Sequence, residues 1–248
     1  MVTSTKQDSA QSAAPVGKFF DWQKTSTLKF SKQMVTITVG TDKNAREFLV
    51  HAELITHHQP RLFGDVRMSR VGSGPLQGRF DAYQPDPEVF IGLLQFAYHG
   101  KFFGGIFLDT LWGLYIYAEN HDLIDLQDIL MNRIVNTYKN SSSSSFPDSL
   151  HMQMGYKTRN DCAARRFLVM CYAHLMDRNT KPPSLPIRYS EELVDAAKNT
   201  DTLLLDALKL MRWNGTPYNG ARDPRDASPC MYHHHAWGTK CPNFQERA

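Results

Sequence analysis

The stretch CMYHHHAWGTKC, from Cys230 to Cys241, carries five thiol or imidazole side chains within a dozen positions. Thiolate sulfur and neutral imidazole nitrogen are the usual ligands of zinc, and a Cys followed at the third position by a His can close onto one ion. Cys230, His233 and Cys241 can supply three ligands and His235 a fourth, which together would hold one structural zinc. The spacing matches no strong finger template, and three adjacent histidines also take up metal weakly in exposed loops. The ligand-free alternative is a polar, loosely ordered segment. Without an acid, a base or an open coordination position beside it, the stretch reads as a clip or closing loop.

Other chemistry-bearing patterns carry less. GSGPLQG has the wrong glycine spacing for a dinucleotide fingerprint and follows a loop rather than a strand. No G-x-S-x-G, H-E-x-x-H or Walker pattern occurs. His57 and His58 are neighbours on a short helix and so face different directions, which suits partly exposed polar positions. Glu119, His121 and Asp122 fall at a helix end, where carboxylates and imidazoles commonly satisfy backbone groups. The expectation is a protein without catalysis.

Composition narrows the class further. With 248 residues, 42% hydrophobic and 21% charged, the chain can bury one sizeable core or two modest ones. A net charge of +3 from 28 basic and 25 acidic residues makes a nucleic-acid partner unexpected, because phosphate binding relies on a concentrated basic face. Four cysteines are too few for a disulfide framework, and the opening MVTSTKQDSAQSAAPVG has no apolar centre of the kind a secretory signal needs. No stretch approaches the roughly twenty apolar residues of a membrane helix. The chain is therefore expected to be intracellular, cytoplasmic or nuclear, with reduced thiols and no membrane partner; the N-x-S/T matches at Asn140 and Asn214 then read as chance.

The elements that would position these residues follow from periodicity. Residues 1–28 are expected to form a flexible tail, since the first eighteen or so are rich in Ser, Thr, Gln and Ala. In VTITV, Val35, Ile37 and Val39 alternate with Thr36 and Thr38, the period of a half-buried strand, and AREFLVH repeats it with Phe48 and Val50, so the two make a hairpin. A short helix carries Leu54 and Ile55 and meets Pro60; one short strand is expected around Arg79 to Ala82. The clearest helix has Asp86 as cap, Pro87 and Glu88 in its first turn, and Val89, Phe90, Leu93, Leu94, Ala97 and Tyr98 on one stripe before Gly100. A helix pair follows, with stripes Leu111, Leu114, Tyr115, Ala118 and Leu126, Leu130, Ile134, Tyr138. A Ser-rich linker is expected over 141–149, a helical region over 150–213 and an irregular tail with the Cys/His cluster over 214–248. In the helical region, Cys171 and Cys162 lie on or beside the stripe of Ala164, Phe167, Leu168, Tyr172 and Leu175, so core positions are expected for both.

VTITVG, FLVHAELI, DPEVFIGLLQFAYHGKF and LWGLYIYAENHDLIDLQDIL, in that order, resemble the BTB (POZ) domain, and especially fungal proteins that carry one such domain followed by a helical region. The resemblance covers roughly residues 29–140. It implies an α+β fold, a small sheet with helices packed around it, followed by a mainly helical C-terminal region. It also implies a protein-interaction module acting by homo- or hetero-association. Leu54, Ile55, Leu62 and Phe63 read singly as core, but the resemblance makes their segment the expected contact helix. The alternatives are a substrate adaptor of a cullin-type ubiquitin ligase and a zinc-dependent nucleic-acid-binding regulator.

Two departures bear on partners. The family's Asp before the first strand and Lys after the His are replaced by Gln33 or Met34 and by Ala52, which removes a charged pocket found in many BTB dimers. The hydrophobic-x-Glu motif of cullin adaptors is replaced by KFFGGIF, which has no Glu. Fungal members often carry a similar Cys, Tyr-His-x-His, Cys stretch, matched here by Cys230, Tyr232, His233, His235 and Cys241.

Overall fold

A computed structural model describes residues 30, 32–70, 76–81, 86–141, 146–176, 188–200, 202–213 and 223–234. The expected tail over 1–28, and residues 214–222 and 235–248 of the irregular tail, lie outside the described residues. The architecture is α+β. Strands β1 (Met34–Val39) and β2 (Arg46–His51) form the expected antiparallel hairpin, and Val35, Ile37 and Val39 are fully buried. Two strands occur where one was expected: β3 (Val66–Arg70) and β4 (Leu76–Phe80) pair antiparallel, and β4 runs parallel to β1. The sheet order is β2-β1-β4-β3. The missed strand β3 is an edge strand in which Val66 and Met68 are only partly buried and alternate with the exposed Arg67 and Ser69, so its apolar signal is thin.

Helix α1 (Pro87–His99) starts and stops where its sequence dictates. The Asp86 carboxylate accepts from the Glu88 N–H at 2.8 Å, satisfying one of the free donors of the first turn. Gly100, at φ 65°, closes the helix by donating to the Phe96 carbonyl, a left-handed conformation that glycine adopts at no steric cost. The buried Phe90 ring meets Phe48, Phe63 and Phe80 with centroids 5.1, 5.9 and 5.0 Å away, which ties α1 to the sheet.

Helices α2 (Leu108–Asn120) and α3 (Ile124–Ser141) form the expected pair, and every residue of both stripes is buried. They are covered on both sides. One side packs toward α1 and the sheet; the other meets α4 (Ser149–Tyr156) and α5 (Ala163–Met176). Trp112, Tyr115 and Tyr138 are buried between the layers, with the Trp112 indole N–H donating to the Tyr138 hydroxyl at 3.2 Å. Helices α6 (Arg188–Asn199) and α7 (Leu203–Trp213) lie outermost, on α4 and α5 respectively.

Of the expected Ser-rich linker over 141–149, residues 142–145 lie outside the described residues. Ser141 belongs to α3, Phe146 is buried, and the Asp148 carboxylate caps α4 by accepting from the His151 N–H at 2.9 Å. Helix α4 is held close to its neighbours at Gly155, where an added methyl would overlap Leu168 and crowd Trp112. Cys162 and Cys171 are both buried, as expected of core thiols, and burial pushes the Cys171 thiol well above its ordinary pKa. Among the described residues no helix is long and apolar enough to cross a membrane.

Candidate functional site

The segment after β2 is not an ordinary α-helix. Leu54–His58 forms a π-helical turn, in which the Gln59 N–H reaches back to the Leu54 carbonyl at 2.8 Å. The wider turn sends Leu54 and Ile55 inward, and Leu62 and Phe63 follow. All four expected contact residues are therefore buried in the chain's own core. The Phe63 ring lies edge-on to Phe90, and the Leu62 carbonyl accepts from the Tyr117 hydroxyl at 2.9 Å. What this segment offers to solvent is Thr56, His57, Pro60 and Arg61.

His51, which precedes that turn, has a positioning role. Its ring Nδ1 lies 2.9 Å from the Tyr98 hydroxyl, which also accepts from the His51 backbone N–H at 3.2 Å. Phe30 stacks on the imidazole at 4.7 Å and meets Tyr98 and His58 edge-on. Burial of Tyr98 raises its hydroxyl pKa, so the group stays a neutral hydrogen-bonding partner. The end of β2, the end of α1 and the chain entering β1 are thereby fastened at one point.

The exposed apolar groups lie elsewhere. Leu49 points outward from edge strand β2 with 68% exposure. In the segment KFFGGIF, Phe102 turns inward to stack on Phe96 at 5.3 Å, while Phe103 and Phe107 remain 46% and 81% exposed. Arg133 of α3 braces this segment, donating to the carbonyls of Phe102 at 3.1 Å and Gly104 at 2.6 Å. His99 and Lys101 flank the Phe103 ring at 4.8 and 5.1 Å. An open, polar depression of about 560 Å³ lies across the outer face of the sheet, lined by Thr36, Thr38, Glu47, Ser69, Gln77 and Arg79 among others.

The front of the terminal cluster is docked on α3. Tyr232 is buried against Phe167 at 5.3 Å, and its hydroxyl donates to the Pro224 carbonyl at 2.8 Å. His233 Nε2 faces Asn132 Oδ1 at 2.8 Å. His234 contacts Asp128 Oδ1 through its backbone N–H at 3.0 Å and its Nδ1 at 2.9 Å. Asp128 and Asn132 are one helical turn apart, so α3 presents both acceptors on one face. Of the proposed zinc ligands, Cys230 is half-buried and His233 is turned to Asn132, while His235 and Cys241 lie outside the described residues. Among the described residues no group of three His, Cys, Asp or Glu side chains is placed to hold a metal ion.

Sequence reasoning missed the polar ties. Glu119, expected only to finish a helix, is 3% exposed and accepts from the Arg159 Nε at 2.5 Å, while Arg159 also donates to Asp122 at 2.8 Å. Arg133, Asp128 and Asn132 carried no local signal of their roles, because their partners lie far along the chain. No family model, curated protein or solved structure matches this chain.

Proposed function

We propose that the chain is a protein-interaction module of the BTB/POZ type, acting by homo- or hetero-association and without catalysis. The observation that carries this reading is the outward presentation of large apolar side chains, Leu49 on the free edge strand and Phe103 and Phe107 on a braced segment. Burying such groups against a partner is favourable at about 25 cal/mol per Å² of apolar surface. The order of hairpin, turn, parallel strand, capped helix and helix pair supports the family reading, with a π-helical turn where the contact helix was expected. Sedimentation equilibrium at micromolar concentration tests self-association: a concentration-dependent dimer weakened by Leu49→Ser or Phe107→Ser is expected. A strictly monomeric chain would remove the homo-association half of the proposal.

The adaptor reading draws on Phe103 and Phe107, which hold an apolar surface where cullin adaptors use their motif, although no Glu accompanies them. A pull-down with a cullin N-terminal domain separates it from simple dimerisation. The structural zinc at Cys230, His233, His235 and Cys241 is tested by metal analysis of tag-free protein; stoichiometric zinc that Cys230→Ser and Cys241→Ser abolish is expected of it. The nucleic-acid-binding reading has less support, since Arg225 and Lys139 near the cluster are already paired with Asp223 and Asp226.

A further inference from the structure

We propose that His151 is a protonation-dependent clamp: carried by α4 and set between Asp109 of α2 and Asp148 before α4, its imidazolium fixes the C-terminal helices to the α2–α3 pair and loosens them when it loses its proton. The proposal is independent of what partner the chain binds.

The geometry favours a charge. His151 is buried, and its Nε2 lies 2.8 Å from Asp109 Oδ1 while its Nδ1 lies 2.8 Å from Asp148 Oδ1. The first contact is a directed hydrogen bond. The second is a close ion-pair contact without hydrogen-bond alignment, to an oxygen that also accepts from the His151 backbone N–H. A neutral imidazole carries one N–H, so with Nε2–H donating to Asp109 it would turn the Nδ1 lone pair toward the Asp148 carboxylate; the imidazolium replaces that repulsion with an attraction. The ring stacks on Trp112 at 6.3 Å and meets Tyr138 edge-on at 6.0 Å, which fixes its plane.

The surrounding groups leave that balance in place. From α3 the facing titratable group is Tyr138, kept neutral by burial. Helix α5 brings Cys171 near Tyr138, also neutral for the same reason. Helix α6 contributes Asp195, whose carboxylate is engaged by the Ser149 hydroxyl and the Asn199 amide. Burial of His151 disfavours its charge, yet Asp148 and then Asp109 more than reverse this, and the imidazole pKa lies above its ordinary value. Because the folded-state pKa is raised, the stabilisation is complete below the unfolded-state value and is lost as pH rises through the folded-state value.

Hydrogen exchange of the backbone amides of residues 149–156, corrected for intrinsic rate and followed from about pH 6 to pH 8, tests the clamp. The full-length chain is expected to lose protection there several-fold as pH rises, while His151→Gln shows a flat profile. Asp109→Asn, at a side chain 71% exposed and so tolerant of change, should move the midpoint to lower pH. A wild-type profile without pH dependence, or the same dependence in His151→Gln, overturns the proposal. Should His151→Gln fail to fold, an unmoved midpoint in Asp109→Asn overturns it equally.

Discussion

The two halves of the molecule are held together by different chemistry. In the N-terminal half, α1, the sheet and the inner face of α2 meet through aromatic and aliphatic side chains clustered on Phe90. Its arginine ion pairs, Arg46 with Glu88 and Arg67 and Arg79 with Asp81, lie on the surface, where such pairs contribute little, and His121 meets Asp65 at a partly buried position. The C-terminal half also has an apolar centre in Phe167 and Leu168, and its seam with α2 and α3 combines the aromatic rings of Trp112, Tyr115 and Tyr138 with buried polar ties. Among the described residues the buried acidic, basic and imidazole side chains are Glu119, Asp128, His151, Arg225 and His233. All five lie on that seam or in the C-terminal segment. The difference teaches that pH and salt should act on the joining of the halves before they act on either interior.

Breaking the interior should cost most. Phe90→Ala removes the ring that Phe48, Phe63 and Phe80 surround and should destabilise the fold by about 3–5 kcal/mol, read as a lower urea midpoint by both circular dichroism and tryptophan fluorescence. Gly155→Ala forces a methyl into Leu168 and Trp112; a loss of about 1–3 kcal/mol is expected, with limited proteolysis cutting first in the C-terminal helices. Arg159→Ala leaves the buried Glu119 carboxylate without its cation. Because Arg159 is 64% exposed, the penalty of a broken buried pair is cut by solvent to about 1–2 kcal/mol. Thermal unfolding of both proteins checks it. Arg133→Ala should cost about 1 kcal/mol or less and act locally, raising hydrogen exchange in residues 101–107. Phe107→Ser stands last: stability is expected to change by no more than about 0.5 kcal/mol, while association weakens.

Legibility in the sequence followed the same division. The N-terminal half is built from local patterns, alternation in VTITV and a cap, proline and glycine around α1, and these were readable because each element declares its buried face within a few residues. Strand β3 escaped because a half-covered edge strand needs only Val66 and Met68 on its inner side. Helix α4 falls at the start of the helical region expected over 150–213 but had no stripe of its own, because eight residues, SLHMQMGY, complete too few turns to show one. The contact-helix expectation rests on the family resemblance, whereas the residues taken singly point to core, which is where the π-turn places Leu54 and Ile55. The polar seam was invisible for a stronger reason. His234 finds Asp128 across 106 positions and His151 finds Asp109 across 42, and no local spacing encodes such pairs.

Helices α2 and α3, covered from both sides, also constrain the order of events at the ribosome. When residues up to Ser141 have emerged, the first half can close its own core, but Trp112, Tyr115 and Tyr138 still face water on the side that α4 and α5 will cover. At about 5–20 residues per second, the chain through Met176 follows a few seconds later. For that interval the nascent protein displays these aromatic rings, and a chain truncated at Ser141 would display them permanently.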